Sequence, residues 1–177
     1  MTDFPAIVDH PGVSIGHKSP QCICYETAIT GGQNFFTSGA YPAVSKCIFM
    51  PITLQVPILV KQFWYYVNTS SGNIDIGVYD IAGNRKASAG STAMAGASVV
   101  TAIDVTDFEL DAGNWFLGIS VDNTTAALFR SALPASAYRA SGVQEQLSTF
   151  PLANPATFAN PTSAYLPVFG LTRSATI

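Results

Sequence analysis

The amino-acid sequence predicts an all-β protein built as an antiparallel β-sandwich, with an extended arm at its N-terminus. Three observations carry this. In residues 58–123 apolar side chains recur at every second position, row after row. Polar turn clusters such as Asn68-Thr69-Ser70-Ser71-Gly72-Asn73 and Asp111-Ala112-Gly113-Asn114 separate the rows. Only residues 141–147 read as a helical turn, and that stretch is short. Period two with turn residues between rows is the signature of half-buried strands.

Taken in order, residues 1–42 read as an extended arm with one or two brief strands, and residues 43–177 as the sandwich. Pro5, Pro11, Gly12, Pro20, Gly31, Gly32 and Pro42 interrupt every apolar run of the arm. Lys46-Cys47-Ile48-Phe49-Met50 opens the sandwich. Pro51 and Pro57 bracket the next stretch, and proline cannot donate to a ladder, so an edge or bulge is expected there. Phe63-Trp64-Tyr65-Tyr66-Val67 is apolar on both faces, which marks a strand that is either central or at an interface. Ile74, Ile76 and Val78 alternate with Asp75, Gly77 and Tyr79. Residues 86–98 form a loop of small side chains, followed by the Val99, Thr101, Ile103 and Val105 row. Trp115, Leu117, Ile119 and Val121 make another row, and residues 124–129 a further strand. Residues 150–161 are proline-spaced, uncharged and aromatic, so they should run extended. Leu166-Pro167-Val168-Phe169-Gly170-Leu171 reads as a strand that re-enters the sheet.

A chain of 177 residues that is 48% hydrophobic fills one core. Charged residues make up only 11% of it, against about 25% in an ordinary soluble domain. So neutral a surface is expected to face other protein in part. The net charge of −3 and eight scattered basic residues, with only Arg85 and Lys86 adjacent, give no stripe to track phosphates. The sequence therefore predicts no nucleic-acid partner. No run approaches the roughly 18 apolar residues of a spanning helix, so no membrane partner is expected. Residues 1–5 lack the basic and apolar regions of a signal peptide, and synthesis in a cytoplasm is the expectation. Three cysteines, Cys22, Cys24 and Cys47, are read as free thiols, because an i, i+2 pair on a strand is poorly placed for a disulfide.

Catalytic and metal chemistry find few parts. His10 and His17 are the only histidines, both lie in the arm, and no serine sits in a G-x-S-x-G elbow. With Cys22 and Cys24 they have the residue types for zinc but not its ligand spacing. Asp104, Asp107, Glu109 and Asp111 lack the spacing of a twelve-residue calcium loop and read as a solvated sheet edge. Asp75 and Asp80 fall on opposite faces of their strand and make no glycosidase pair. No enzyme activity, cofactor or metal is expected. Among Trp64, Tyr65, Tyr66, Trp115 and Phe116, the rings of Trp64 and Tyr66 are the best candidates for exposure, at a sugar platform or an oligomer interface.

Residues 44–130 resemble the small β-sandwich modules of tailed-phage virion proteins. The resemblance rests on Phe63-Trp64-Tyr65-Tyr66-Val67, on Asn73-Ile74-Asp75-Ile76-Gly77-Val78-Tyr79-Asp80, and on residues 110–120, Leu-Asp-Ala-Gly-Asn-Trp-Phe-Leu-Gly-Ile-Ser. It implies a jelly-roll-like sandwich located in a virion and made in the host cytoplasm. It further implies a capsid decoration (cement) protein that stabilises a shell through contacts with the major capsid protein or neighbouring structural subunits. A homo-oligomer, such as a trimer, is part of that expectation. The alternative from the same resemblance is a carbohydrate- or receptor-binding module of a head or tail fibre. The candidate interface residues are Phe4, Ile7, Val8, Phe35 and Phe36 in the arm, Trp64 and Tyr66 on the sandwich, and Phe158 in the proline-spaced segment. Deleting residues 1–42 is expected to abolish attachment while the sandwich still folds.

Overall fold

A computed structural model describes residues 14–15, 22–24, 37–131, 133–147 and 149–173. In chain order its strands are β1 (Ser14–Ile15), β2 (Cys22–Cys24), β3 (Thr37–Ala40), β4 (Cys47–Leu54), β5 (Ile58–Thr69), β6 (Asn73–Tyr79) and β7 (Arg85–Ser88). They continue as β8 (Thr92–Ala93), β9 (Val99–Leu110), β10 (Gly113–Val121) and β11 (Ala127–Ser131). After helix α1 (Ala135–Ala140) come β12 (Gln144–Gln146), β13 (Leu166–Pro167) and β14 (Phe169–Thr172). Two antiparallel sheets pack together as a β-sandwich. Sheet I has the order β1-β2-β14-β5-β11-β13, with β3 beside β11 and β9 beside β5. Sheet II has the order β12-β4-β10-β6-β7, with β8 also on β6.

Strand β5 explains its own composition. It pairs with β9 along one side, from Ile58↔Leu110 to Val67↔Val99, and with β14 and then β11 along the other. The faces of its middle stretch are covered too: Phe63 and Tyr65 are buried on one side and Trp64 on the other. Phe63, Tyr65 and Val67 enter the core, where they meet Ile74, Ile76 and Val78 of β6 and Leu117 and Ile119 of β10. Each fully buried aliphatic or aromatic side chain there contributes about 1.5–3 kcal/mol.

Several expectations are corrected. The helix lies at Ala135–Ala140, just before the residues expected to turn helically; Ser141 closes it by donating to the Ala137 and Tyr138 carbonyl oxygens. Gln144, Glu145 and Gln146 then pair with Phe49, Ile48 and Cys47 of β4, and the Glu145 carboxylate is held by the Lys46 ammonium and the Thr162 hydroxyl. The strand expected at 124–129 starts later, at Ala127, because Asn123 Oδ1 accepts the Thr125 and Ala126 N–H groups and holds them in a turn. Pro51 does sit where the ladder lets it: β12 covers β4 only from Cys47 to Phe49, so the edge beside Pro51 has no strand partner among the described residues.

The boundary at residue 42 also moves. Strand β3 pairs with β11, and Tyr41 is buried in the core, its hydroxyl donating to the Lys46 carbonyl oxygen at 2.7 Å. The sandwich thus includes residues 37–42, and β1 and β2 extend sheet I beyond β14. A truncation through residue 42 removes structural strands and cannot serve as a clean test of attachment.

A third layer covers sheet II. Leu152 and Ala156 are buried with Cys47, Phe49 and Tyr79 on the sheet's outer face, and Phe158 and Phe116 pack against them. Residues 149–165, the extended segment, therefore strap this face, which alternation alone would leave to water. No helix among the described residues is long and apolar enough to cross a membrane.

Candidate interaction surface

The strap is held by buried polar groups that local patterning did not single out. Asp75 is fully buried, and its carboxylate accepts the Leu152 N–H at 3.0 Å and the Ser88 hydroxyl at 3.0 Å. Burial pushes its pKa up, against these hydrogen bonds and the nearby Arg85 guanidinium, which act to lower it. Arg85 Nη1 donates to the Leu152 carbonyl oxygen at 2.6 Å, and Tyr79 Oη donates to that of Ala153 at 2.7 Å. Burial likewise pushes the Cys47 thiol up to about 11, so it is no ready nucleophile. At the start of β4, Lys46 Nζ donates to Glu145 Oε2 at 3.0 Å, to Thr162 Oγ1 at 3.2 Å and to Ser163 Oγ at 2.7 Å. Burial acts to raise the Glu145 carboxyl, but the Thr162 and Lys46 donors outweigh it and hold the group below its usual range. Both groups of partners are turned inward and bind the chain to itself.

The sandwich is open along one side instead. Strand β9 pairs with β5 only, and β7 with β6 only, so among the described residues both present a free edge. Between them runs a groove of about 490 Å³, lined by Lys86, Ala87 and Ser88 from one sheet and Asp104, Val105 and Phe108 from the other, among others. Which backbone groups face outward follows from alternation. The Tyr66 N–H bonds to the Val168 carbonyl oxygen, on the side of β5 away from β9. Tyr65 and Phe63 therefore turn their backbone groups toward β9, where they meet Thr101 and Ile103. Val100 and Ala102, in between, direct their N–H and C=O groups to the free edge. Val99 and Val100 are also exposed at 45% and 42%.

Charge on strand β9 itself is one-sided, while Lys86 of β7 lines the groove beside it. Strand β9 carries Asp104, Asp107 and Glu109 and no Lys or Arg. Asp107 pairs with Lys61 of the neighbouring strand at 2.8 Å, a half-exposed bridge. Asp104 accepts from Gln62 Nε2. No group of three or more His, Cys, Asp or Glu among the described residues is placed to hold a metal ion.

The candidate interface residues fall in different places. Phe4, Ile7, Val8, Phe35 and Phe36 lie outside the described residues. Trp64 is not the exposed ring its outward phase suggested: it is 4% exposed on a strand paired along both edges. Tyr66 is half-buried and stacks on Phe129 at 3.9 Å. Phe158 packs within the chain, its ring 5.1 Å from Phe49 and 4.5 Å from Phe116. Trp115 is half-buried against the core, and its indole N–H donates to the Asp111 carbonyl oxygen. What the sequence did show of the open surface was the acidic row; that this row lies on an edge with no second strand partner among the described residues depends on pairings distant in the chain.

Fold and surface together define an antiparallel β-sandwich with a strapped face and an open side. Comparison with family models, with curated proteins and with solved structures returned no match.

Proposed function

We propose that this chain is a structural subunit of a tailed-phage virion, a capsid decoration protein that works by packing against neighbouring protein. The observation that carries the reading is the open side: a twelve-residue edge strand with Val99 and Val100 exposed, on a chain of only 11% charged residues. A long free edge is a template for pairing with another chain. The polar clusters of the interior support the same view, since Asp75, Lys46 and Glu145 are consumed in holding the strap. The mechanism is mechanical. Apolar area buried between subunits adds roughly 25 cal/mol per Å² to the work of separating them, before ordering costs. The fibre-module alternative needs an aromatic platform, and the burial of Trp64 removes its best ring.

The test is to mix the purified chain with undecorated shells and sediment them. Co-sedimentation, with a higher temperature of genome release, is the expected result. A chain that stays in the supernatant, and is missing from gradient-purified particles by mass spectrometry, overturns the reading. A variant lacking residues 1–13 keeps every described strand. It should fold, and it reports whether the arm is needed.

A further inference from the structure

We propose that the free edge of β9 receives an extended segment of a neighbouring protein chain, one that presents Lys or Arg on alternate residues. This deepens the proposed function, because it names the chemistry of the contact. Three features converge on it. Val100 and Ala102 offer backbone N–H and C=O groups that have no strand partner among the described residues, at the spacing an antiparallel or parallel strand would meet. The groove between β7 and β9 gives the incoming strand a place for every second side chain, over Ala87, Val105 and Phe108. Small or branched apolar residues suit that lining.

Charge complementarity decides the occupant. A second copy pairing β9 to β9 would bring Asp104, Asp107 and Glu109 of each chain to one sheet with no basic residue from either strand. Like charges opposed across strands are destabilising, and inward or edge charges are a device against such self-association. A strand with ammonium or guanidinium groups on its other face meets the same carboxylates favourably. Lys61 already holds Asp107 in this way from the β5 side. Backbone pairing supplies the affinity, and the acidic row selects the partner.

Two fluorescein-labelled ten-residue peptides test this with the full chain, one alternating Val and Lys, the other alternating Val and Glu. Anisotropy should show binding of the Lys peptide only, weakened about tenfold between 0.05 and 0.3 M salt as exposed charges are screened. Hydrogen exchange at the Val100 and Ala102 amides should slow when it binds. Ala102→Pro removes an outward N–H that β5 does not use, so the variant should fold and bind at least tenfold more weakly; Glu109→Gln should weaken binding severalfold. The proposal is overturned if the Lys peptide fails to bind, if the Glu peptide binds equally, or if Ala102→Pro binds as tightly as the parent. It is also overturned if the chain forms a dimer that Ala102→Pro dissolves, which would assign the edge to a second copy. A chain that decorates shells yet ignores the peptide sinks this inference alone; one that binds the peptide and is missing from particles sinks the virion reading alone.

Discussion

Asp75 shows how one side chain can couple a loop to a sheet. Its carboxylate is buried, its pKa is raised by that burial, and it accepts from Leu152 in the strap. A carboxyl whose folded pKa lies above its unfolded value favours folding while protonated. That stability is present at low pH and lost as pH rises from the unfolded value through the folded one. Asp75→Asn, neutral at every pH, escapes the loss. The stability of this variant relative to the parent should therefore rise between pH 3.5 and pH 7, measured by denaturant melts. A difference that is flat in pH would show the carboxylate is not desolvated. Lys46 and Glu145 form the other buried pair, with side chains 5% and 4% exposed. Removing one partner leaves a buried charge, so Lys46→Ala should cost about 3–5 kcal/mol. Combining Lys46→Met with Glu145→Leu removes both charges at similar volume and should recover most of that in the same melts.

At the scale of the element, the strap is the feature to probe. Strand β10 makes room for it with Gly118, where an added Cβ would stand 2.8 Å from Phe49 Cδ1 and 3.2 Å from Tyr79 Cε2. Both rings belong to the layer beneath the strap, so Gly118→Ala should overpack it by about 1–3 kcal/mol. Phe158→Ala removes the ring that Phe49 and Phe116 grip. It is half-buried, so a loss of about 2–3 kcal/mol is expected, below that of a fully buried Phe. Limited proteolysis should then cut within residues 149–165 while the sandwich resists. Rapid cleavage of the parent chain at those sites would contradict a docked strap. This layer was hard to read from sequence for a physical reason. Alternation in β6 marks Ile74, Ile76 and Val78 as core and assigns Asp75, Gly77 and Tyr79 to water. Periodicity reports that a face is buried only when the other face is polar, and a covered outer face carrying Asp and Gly looks solvated. Tyr79 and Phe116 on that face, with the uncharged, proline-spaced stretch downstream, were the available hints.

At the scale of the molecule, strands legible one by one combine through pairings that no local window contains. The turns at 68–73 and 111–114 placed β5, β6, β9 and β10 correctly because each turn is local. The partnership of β3 with β11 and of β2 with β14 joins residues far apart in the chain, and the open edge of β9 is a result of that topology. Such non-local pairing makes loop closure the slow step, so refolding should take milliseconds to seconds rather than microseconds in stopped-flow fluorescence. The same wiring has a consequence during synthesis. Strand β14 lies between β5 and β2, so a nascent chain still lacking residues 169–172 cannot join the two portions of sheet I. Until the ribosome releases them, Phe63 and Tyr65 keep one unguarded flank, and deleting residues 169–172 should condemn the product to degradation.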